Sequence, residues 1–299
     1  MVDSSAPAWF VERLGWKQAT AKATTRCLKA FGVPFGPNLA DLSGTSSTLI
    51  AGEAYRLLGV PTSQVTDLDI AAIESAGSQD EDNGYGSSPK KVQAAGTQLE
   101  EGLRRDIEES LYSRAFEYDD AFGRKRWYVT RRGDASQFAQ YGHLARLQTL
   151  FESEPTLKTT VGRDYQVSTD VMVGVPSQWA GTEDYMLHAA VSSKLTIRSD
   201  RAQNIRVEFG TLVRNRRGRL PHLVVVTAEP LPSRIISIAR GTGEIDAIYH
   251  LLYDEIDQAL CSLKTQSRHL ARQAEDWREM VDMKRVRPYG ELADVLVSG

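Results

Sequence analysis

Leu187-His-Ala-Ala-Val-Ser-Ser-Lys-Leu-Thr-Ile197, followed directly by Arg198-Ser-Asp-Arg-Ala-Gln-Asn-Ile-Arg-Val-Glu-Phe-Gly-Thr-Leu-Val213, sets the architecture. The first part reads as a strand. The second reads as a helix, because Ile205, Phe209, Leu212 and Val213 fall on one face. Beyond it, Leu223-Val-Val-Val-Thr227 is a β-branched run suited to a strand covered on both sides. Outward from this centre, Tyr165 to Val175 reads as an earlier strand, Arg234 to Arg240 as a short helix, Glu244 to His250 as a strand and Leu251 to Asp276 as a long closing helix. This alternation predicts an α/β fold with a mixed central sheet flanked by helices.

Upstream, Gly96 to Phe116 carries Leu99, Leu103, Ile107 and Leu111 four residues apart, which predicts a helix, as does Ala135 to Glu152. The first sixty residues look helical with breaks: Gly36-Pro37 and Ser43-Gly-Thr-Ser-Ser47 read as turn or loop, and Leu49 to Leu58 as a short helix. Gly77 to Lys91 has no apolar periodicity and is expected to be a mobile loop.

The chain has 299 residues, 41% hydrophobic and 25% charged, enough for a sizeable core. No apolar run approaches the roughly 18 residues of a membrane span, and the N-terminus lacks a basic start followed by an apolar stretch, so a cytoplasmic protein is expected. Cys27 and Cys261 are the only cysteines, which excludes a disulfide framework or a Cys-type zinc site. The net charge is -3, but the charge is segregated. Seven arginines lie between Arg198 and Arg219 against Asp200 and Glu208, and Arg124 to Arg132 holds five basic residues and no acid. Such clustering fits one basic face turned to nucleic acid; it also occurs as ordinary solvated surface.

Side chains alternate along a strand, so Ser192 and Lys194 are expected on one face and Ser193 on the other, with Asp170 brought alongside from the preceding strand. A carboxylate and a lysine meeting at a sheet edge suit metal-assisted phosphodiester cleavage: the acid holds a hard cation and the ammonium stabilises phosphate charge or the attacking water. PD-(D/E)XK nucleases use this arrangement, although Thr169 stands at the proline position and Ser192 where a second acid is expected. Glu208, on the edge of the apolar face of the following helix, is the nearest substitute; a boundary glutamate in a salt bridge is the plain alternative. At the start of that helix, Arg198-Ser-Asp-Arg201 offers arginines for guanine acceptors and an aspartate for the cytosine amino group. The plain alternative there is Ser199 as N-cap with an acid in the first turn.

From Ser192-Ser-Lys194 through Leu-Thr-Ile-Arg-Ser-Asp-Arg-Ala-Gln-Asn204, Leu212 to Pro230, Pro232-Ser-Arg-Ile235 and Gly241-Thr-Gly-Glu-Ile-Asp246 to Tyr249-His250, the chain closely resembles type II restriction endonucleases that cut CCGG-core sites. Upstream, Asp164-Tyr165 to Asp170-Val171 and Gln93 to Glu100 keep the same register, while residues 1 to 60 and 276 to 299 match poorly or not at all. The resemblance implies a PD-(D/E)XK core in a single endonuclease domain over 1–299: an N-terminal helical part with a DNA-contacting loop (1–75), the mobile loop (76–92), the catalytic core (93–275) and a C-terminal tail (276–299).

It implies Asp170 as metal-binding aspartate with the Ser193 carbonyl as a further ligand, Lys194 as catalytic lysine, Glu208 in place of the acid missing at Ser192, and Glu100 as the remaining active-site acid. Arg198, Asp200 and Arg201 would read the CCGG core; Arg234, Gln93, Asp41 and Ser43 would contact outer or inner pairs, though the loop around Ser43 departs from the family pattern. The implied cofactor is Mg²⁺ and the implied substrate duplex DNA, with GCCGGC as the site and 5′-phosphate ends. Homodimers or homotetramers, and a cognate DNA cytosine methyltransferase, are implied partners. Three other readings remain at this point: a non-cutting DNA-binding protein on the same fold, a structure-specific nuclease, and a nucleotide-binding enzyme using Gly241-Thr-Gly-Glu244. The last lacks the lysine or glycine pattern that phosphate binding needs.

Overall fold

In a computed structural model, residues 5–62, 95–114, 125–154, 166–177, 184–197, 199–241 and 243–299 are described. The expected mobile loop at 76–92 lies outside them. The centre is a mixed sheet of six strands, β3 (Tyr128–Arg131), β4 (Val171–Pro176), β5 (Tyr185–Lys194), β6 (His222–Thr227), β7 (Ala247–His250) and β8 (Val286–Pro288), in that spatial order. β3, β4 and β5 run antiparallel; β5 to β8 run parallel. The expected mixed α/β sheet is therefore present. Val225 is paired with Ser192 on one side and Ile248 on the other, and Leu223 to Val226 are all buried, as a β-branched central strand requires.

Helices flank the sheet. In α4 (Ala95–Arg114) the stripe Leu99, Leu103, Ile107 and Leu111 is buried, so the spacing read from sequence is the packing face. Leu103 is fully buried, and Leu103→Ala is expected to cost about 2–5 kcal/mol in denaturant unfolding. α6 (Ser199–Asn215) buries Ile205, Phe209 and Leu212. α7 (Pro232–Ala239) starts on a proline in its first turn, where the missing N–H costs nothing. The N-terminal part holds α1 (Ala8–Val11), α2 (Ala21–Phe31) and α3 (Thr45–Leu57). Trp16, Ile50 and Tyr55 from this part join the main core.

Several elements differ from the sequence reading. Trp16–Gln18 (β1) and Phe35–Pro37 (β2) pair antiparallel within the region read as helical, so Gly36-Pro37 sits in a strand. α3 begins at Thr45, inside the stretch read as loop. The helix expected at Ala135 to Glu152 is two short 3₁₀ turns followed by α5 (Gly142–Ser153). Phe138 is extended and buried, which interrupts the helix. The buried Gln140 amide then takes both backbone groups of Leu187, at 2.8 Å each, where the β4–β5 register shifts. The strand expected from Tyr165 begins, as β4, only at Val171; before it, Ser168 makes an isolated bridge to Asp134. The strand expected from Glu244 starts at Ala247 after a turn with Gly243 at φ 89°.

The closing helix is two, α8 (Tyr253–Leu263) and α9 (Arg268–Asp282), because Ser267 is extended and its side chain caps Leu270 N–H. Residues 276–299 form the end of α9, β8 and α10 (Leu292–Ser298) rather than a tail; β8 adds the last strand of the sheet.

His250, at the end of β7, is fully enclosed: Nε2 donates to Glu229 O at 3.0 Å and Nδ1 accepts from Leu252 N at 3.1 Å. Burial lowers it to about 4, against the hydrogen bond to Glu229 O, which favours the charged ring; His188 is likewise lowered to about 4, chiefly by burial. A group lowered on folding adds stability above its unfolded value, and that stability is lost as pH falls. The loss therefore runs from about 6.5 down through about 4, and at 1.36 kcal/mol per pH unit His250 accounts for about 3 kcal/mol. Thermal midpoints taken across this range should fall toward acid, and His250→Gln should flatten the slope.

Candidate active site

Asp170 lies one residue before β4, beside the last residues of β5, because Val171 pairs with Val191. Three donors converge on its Oδ2: Ser193 N–H at 2.6 Å, Ser193 Oγ at 3.2 Å and Lys194 Nζ at 2.8 Å. The expected meeting of Asp170 and Lys194 is therefore realised, in a pair about one-fifth exposed on each side. Ser193, read as facing away, instead reaches the carboxylate with both its main-chain N–H and its hydroxyl, so the expected separation of Ser193 from the Lys194 side does not hold at the end of this strand. Ser192 is fully buried, and its hydroxyl has no hydrogen-bond partner among the described residues.

Glu208 stands in the middle of α6. Burial raises its carboxyl above the ordinary range; the Lys194 charge lowers it and the Asp170 charge raises it further. This mutual influence puts Glu208 within electrostatic reach of the Asp170–Lys194 pair. Glu100, buried in α4, is held by Arg132 at 2.7 Å and approached by Arg131 at 3.8 Å. It adjoins the cluster through Arg132, whose N–H donates to Asp170 O at 3.0 Å and whose guanidinium is raised by Glu100 first and by Asp170 to a lesser extent. Arg132 has a left-handed backbone, φ 52°, uncommon for a non-glycine residue and found most often at constrained sites. The sequence reading counted Arg132 only within a basic run.

The residues suit a hard divalent cation. Among the described residues no three His, Cys, Asp or Glu side chains gather into one cluster. Asp170 and Glu208 are oxygen donors, as Mg²⁺ prefers, and a cation held by one or two carboxylates keeps several waters. A positive charge there would relieve the unfavourable ionisation of Glu208, and the buried Ser192 hydroxyl has no hydrogen-bond partner among the described residues.

Among the described candidates for base reading, the main chain of Asp200 and Arg201 follows the carboxyl end of β5 and Arg234 follows that of β6, the edge at which open α/β sheets bind ligands. Arg198 and Gln93 lie outside the described residues; Asp200 and Arg201 occupy the first turn of α6, where only the main chain is described. Arg234, in α7, bonds Asp41 Oδ2 at 2.8 Å, and Asp41 Oδ1 accepts from Ser43 N and Oγ at 3.1 and 2.5 Å. Burial would raise the Asp41 carboxyl, but the Ser43 and Arg234 hydrogen bonds outweigh it and hold it low. Asp41, Ser43 and Arg234 therefore form one cluster. Glu229, just past β6, went unremarked in the sequence. It is wholly buried and contacts Ile197 N at 2.8 Å, Leu231 N at 3.0 Å and Arg234 Nη1 at 3.5 Å. The available signal was an acid followed by proline directly after a buried strand.

The NgoMIV restriction enzyme family model matches residues 85–178 and 174–293. The type II restriction enzyme NgoMIV of Neisseria gonorrhoeae is 45% identical over 165 residues, 46% of this chain and 58% of that relative. The chain thus spans little more than half the length of the curated relative it matches. The family match takes in Asp170, Lys194, Glu208 and Glu229 alike and extends over most of the chain, which belongs to the NgoMIV restriction enzyme family.

Proposed function

We propose that this protein is a type II site-specific deoxyribonuclease that cuts both strands of duplex DNA at a palindromic CCGG-core site, GCCGGC, leaving 5′-phosphate ends. The observation that carries the reading is the Asp170–Lys194 pair at the sheet edge with Glu208 in electrostatic reach, on the helix whose first turn bears Asp200 and Arg201. The relative's printed name, a type II restriction enzyme, supports the same class.

Asp170 and Glu208, with the Ser193 carbonyl, would hold Mg²⁺. Bound there, the cation supplies charge to the phosphate oxygens and acidifies water. Lys194, whose ammonium is held by Asp170, would stabilise the attacking water and the developing negative charge. Ser193 N–H orients the Asp170 carboxylate from the main chain, so the aspartate does not depend on a flexible partner. Arg198, Asp200 and Arg201 would read the core from the major groove, with Arg234, Gln93, Asp41 and Ser43 at the remaining pairs. Glu100, held by Arg132, would be the remaining acid beside the scissile strand.

A palindromic site is read by subunits related by a two-fold axis, which calls for a homodimer or a homotetramer made of two. The working context is restriction of foreign DNA in the cytoplasm beside a cognate cytosine methyltransferase. No described helix is long and apolar enough to cross a membrane. Digestion of a DNA of known sequence with Mg²⁺, followed by mapping of the ends, tests the reading: discrete cuts at CCGG-core sites are expected. Tight binding without breaks would favour a non-cutting binder, and a smear without fixed ends a structure-specific nuclease.

A further inference from the structure

Glu229 is the least exposed carboxylate near the proposed site, at 0%, and its contacts are unusual in kind. Two are main-chain N–H groups at junctions: Ile197, the residue before Arg198, and Leu231, the residue before α7. The third is the guanidinium of Arg234, which shares Oε2 with Ile197 N–H. Its own main chain is fixed on both sides, N–H to Thr227 Oγ1 at 3.1 Å and C=O to His250 Nε2 at 3.0 Å. Arg234 in turn binds Asp41, which closes on Ser43. One buried acid therefore joins the lead-in to α6, the start of α7 and the Asp41–Ser43 turn.

Stability alone is a weak reason for such a group, since a buried ion pair is commonly no better than well-packed apolar residues of the same volume. Its geometry supplies another reason. Lys194 stands three residues before Ile197 and the base-reading cluster directly after it. The clamp falls between them.

Resting on the function proposed above, we infer that Glu229 is a positioning residue for sequence recognition, holding the leading end of α6 and Arg234 in one frame so that core and outer base pairs are read together. It touches no base. Its effect passes through Ile197 and Arg234, and it differs in this from Asp170 and Glu208, to which the proposed function gives the cation beside the reacting phosphate.

The test uses the full chain and equilibrium binding to labelled duplexes without divalent metal, so that cleavage plays no part. The duplexes carry GCCGGC, an altered outer pair, an altered core pair, or an unrelated sequence. Glu229→Gln keeps the size and an acceptor but removes the charge. It is expected to shrink discrimination against both the altered outer and the altered core duplex by about tenfold to a hundredfold, the range one bidentate base contact is worth. Affinity for the unrelated duplex, set by phosphate contacts, should stay as in the parent.

In an Arg234→Ala background, the same change should lower core discrimination only, because the outer-pair route is already cut. A Glu229→Gln protein that discriminates like the parent and differs only in thermal midpoint overturns the proposal and leaves a structural carboxylate. If Glu229→Gln does not fold, Glu229→Asp, which keeps the charge but withdraws it by one methylene, must show the same loss of discrimination; undiminished discrimination overturns the proposal equally. A parent protein that binds all four duplexes alike overturns the site-specific reading, and this inference with it. That outcome is distinct from a discriminating parent with an equally discriminating variant.

Discussion

Asp170→Ala is expected to lower double-strand cleavage of a CCGG-core plasmid by roughly a thousandfold or more, with binding to the site largely retained. The size follows from what the residue holds together. Its Oδ2 collects Ser193 N–H, Ser193 Oγ and Lys194 Nζ, so alanine removes the anchor of the lysine as well as the proposed cation ligand. Charge stabilisation by a bound cation is worth several kcal/mol, and each 1.36 kcal/mol is a factor of ten in rate. Agarose assays over a range of Mg²⁺ measure the rate, and calorimetric titration with Mg²⁺ alone measures the ligand role, with a markedly weakened isotherm expected. Cutting at the parent rate would remove Asp170 from the site.

Lys194→Ala should also lower cleavage, by about a hundredfold to ten-thousandfold, the range of a positioned proton-handling or charge-stabilising group. Its signature differs from that of Asp170→Ala. The ammonium at 2.8 Å competes with a cation for the same carboxylate, so its removal leaves Asp170 more available, and Mg²⁺ affinity should hold or rise. Burial and the Asp170 charge, both of which raise the Glu208 carboxyl, remain in the variant, while the Lys194 charge that lowers it is gone. Loss of cutting together with weakened Mg²⁺ binding would show that Lys194 acts by building the cation site rather than on the reacting groups.

Much of this was readable in the chain. The stripe at 99, 103, 107 and 111 became the buried face of α4, and the β-branched run at 223–227 became the central parallel strand, because periodicity reports burial directly. The Asp170–Lys194 meeting was also legible, since antiparallel neighbours put one strand's start beside the other's end. Short pieces were not. β3, β8 and the β1–β2 pair carry three or four residues each, too few to show a period, and exist because a neighbouring edge pairs with them. The break at Phe138 depends on a core site for its ring and on a strand edge for the Gln140 amide, neither of which is visible in local sequence.

Sequence by itself determined the order of the longer core elements, the central strand and the residue types able to hold a cation or read G·C pairs, for these depend on spacing and side-chain chemistry within single segments. Tertiary structure alone decided that Ser193 as well as Lys194 binds Asp170, that Glu100 is tied to Arg132, that residues 276–299 complete the sheet, and that Glu229 joins three distant segments. Each of those depends on groups far apart in the chain meeting in three dimensions, where a hydrogen bond or charge finds its partner in space whatever its place in the sequence.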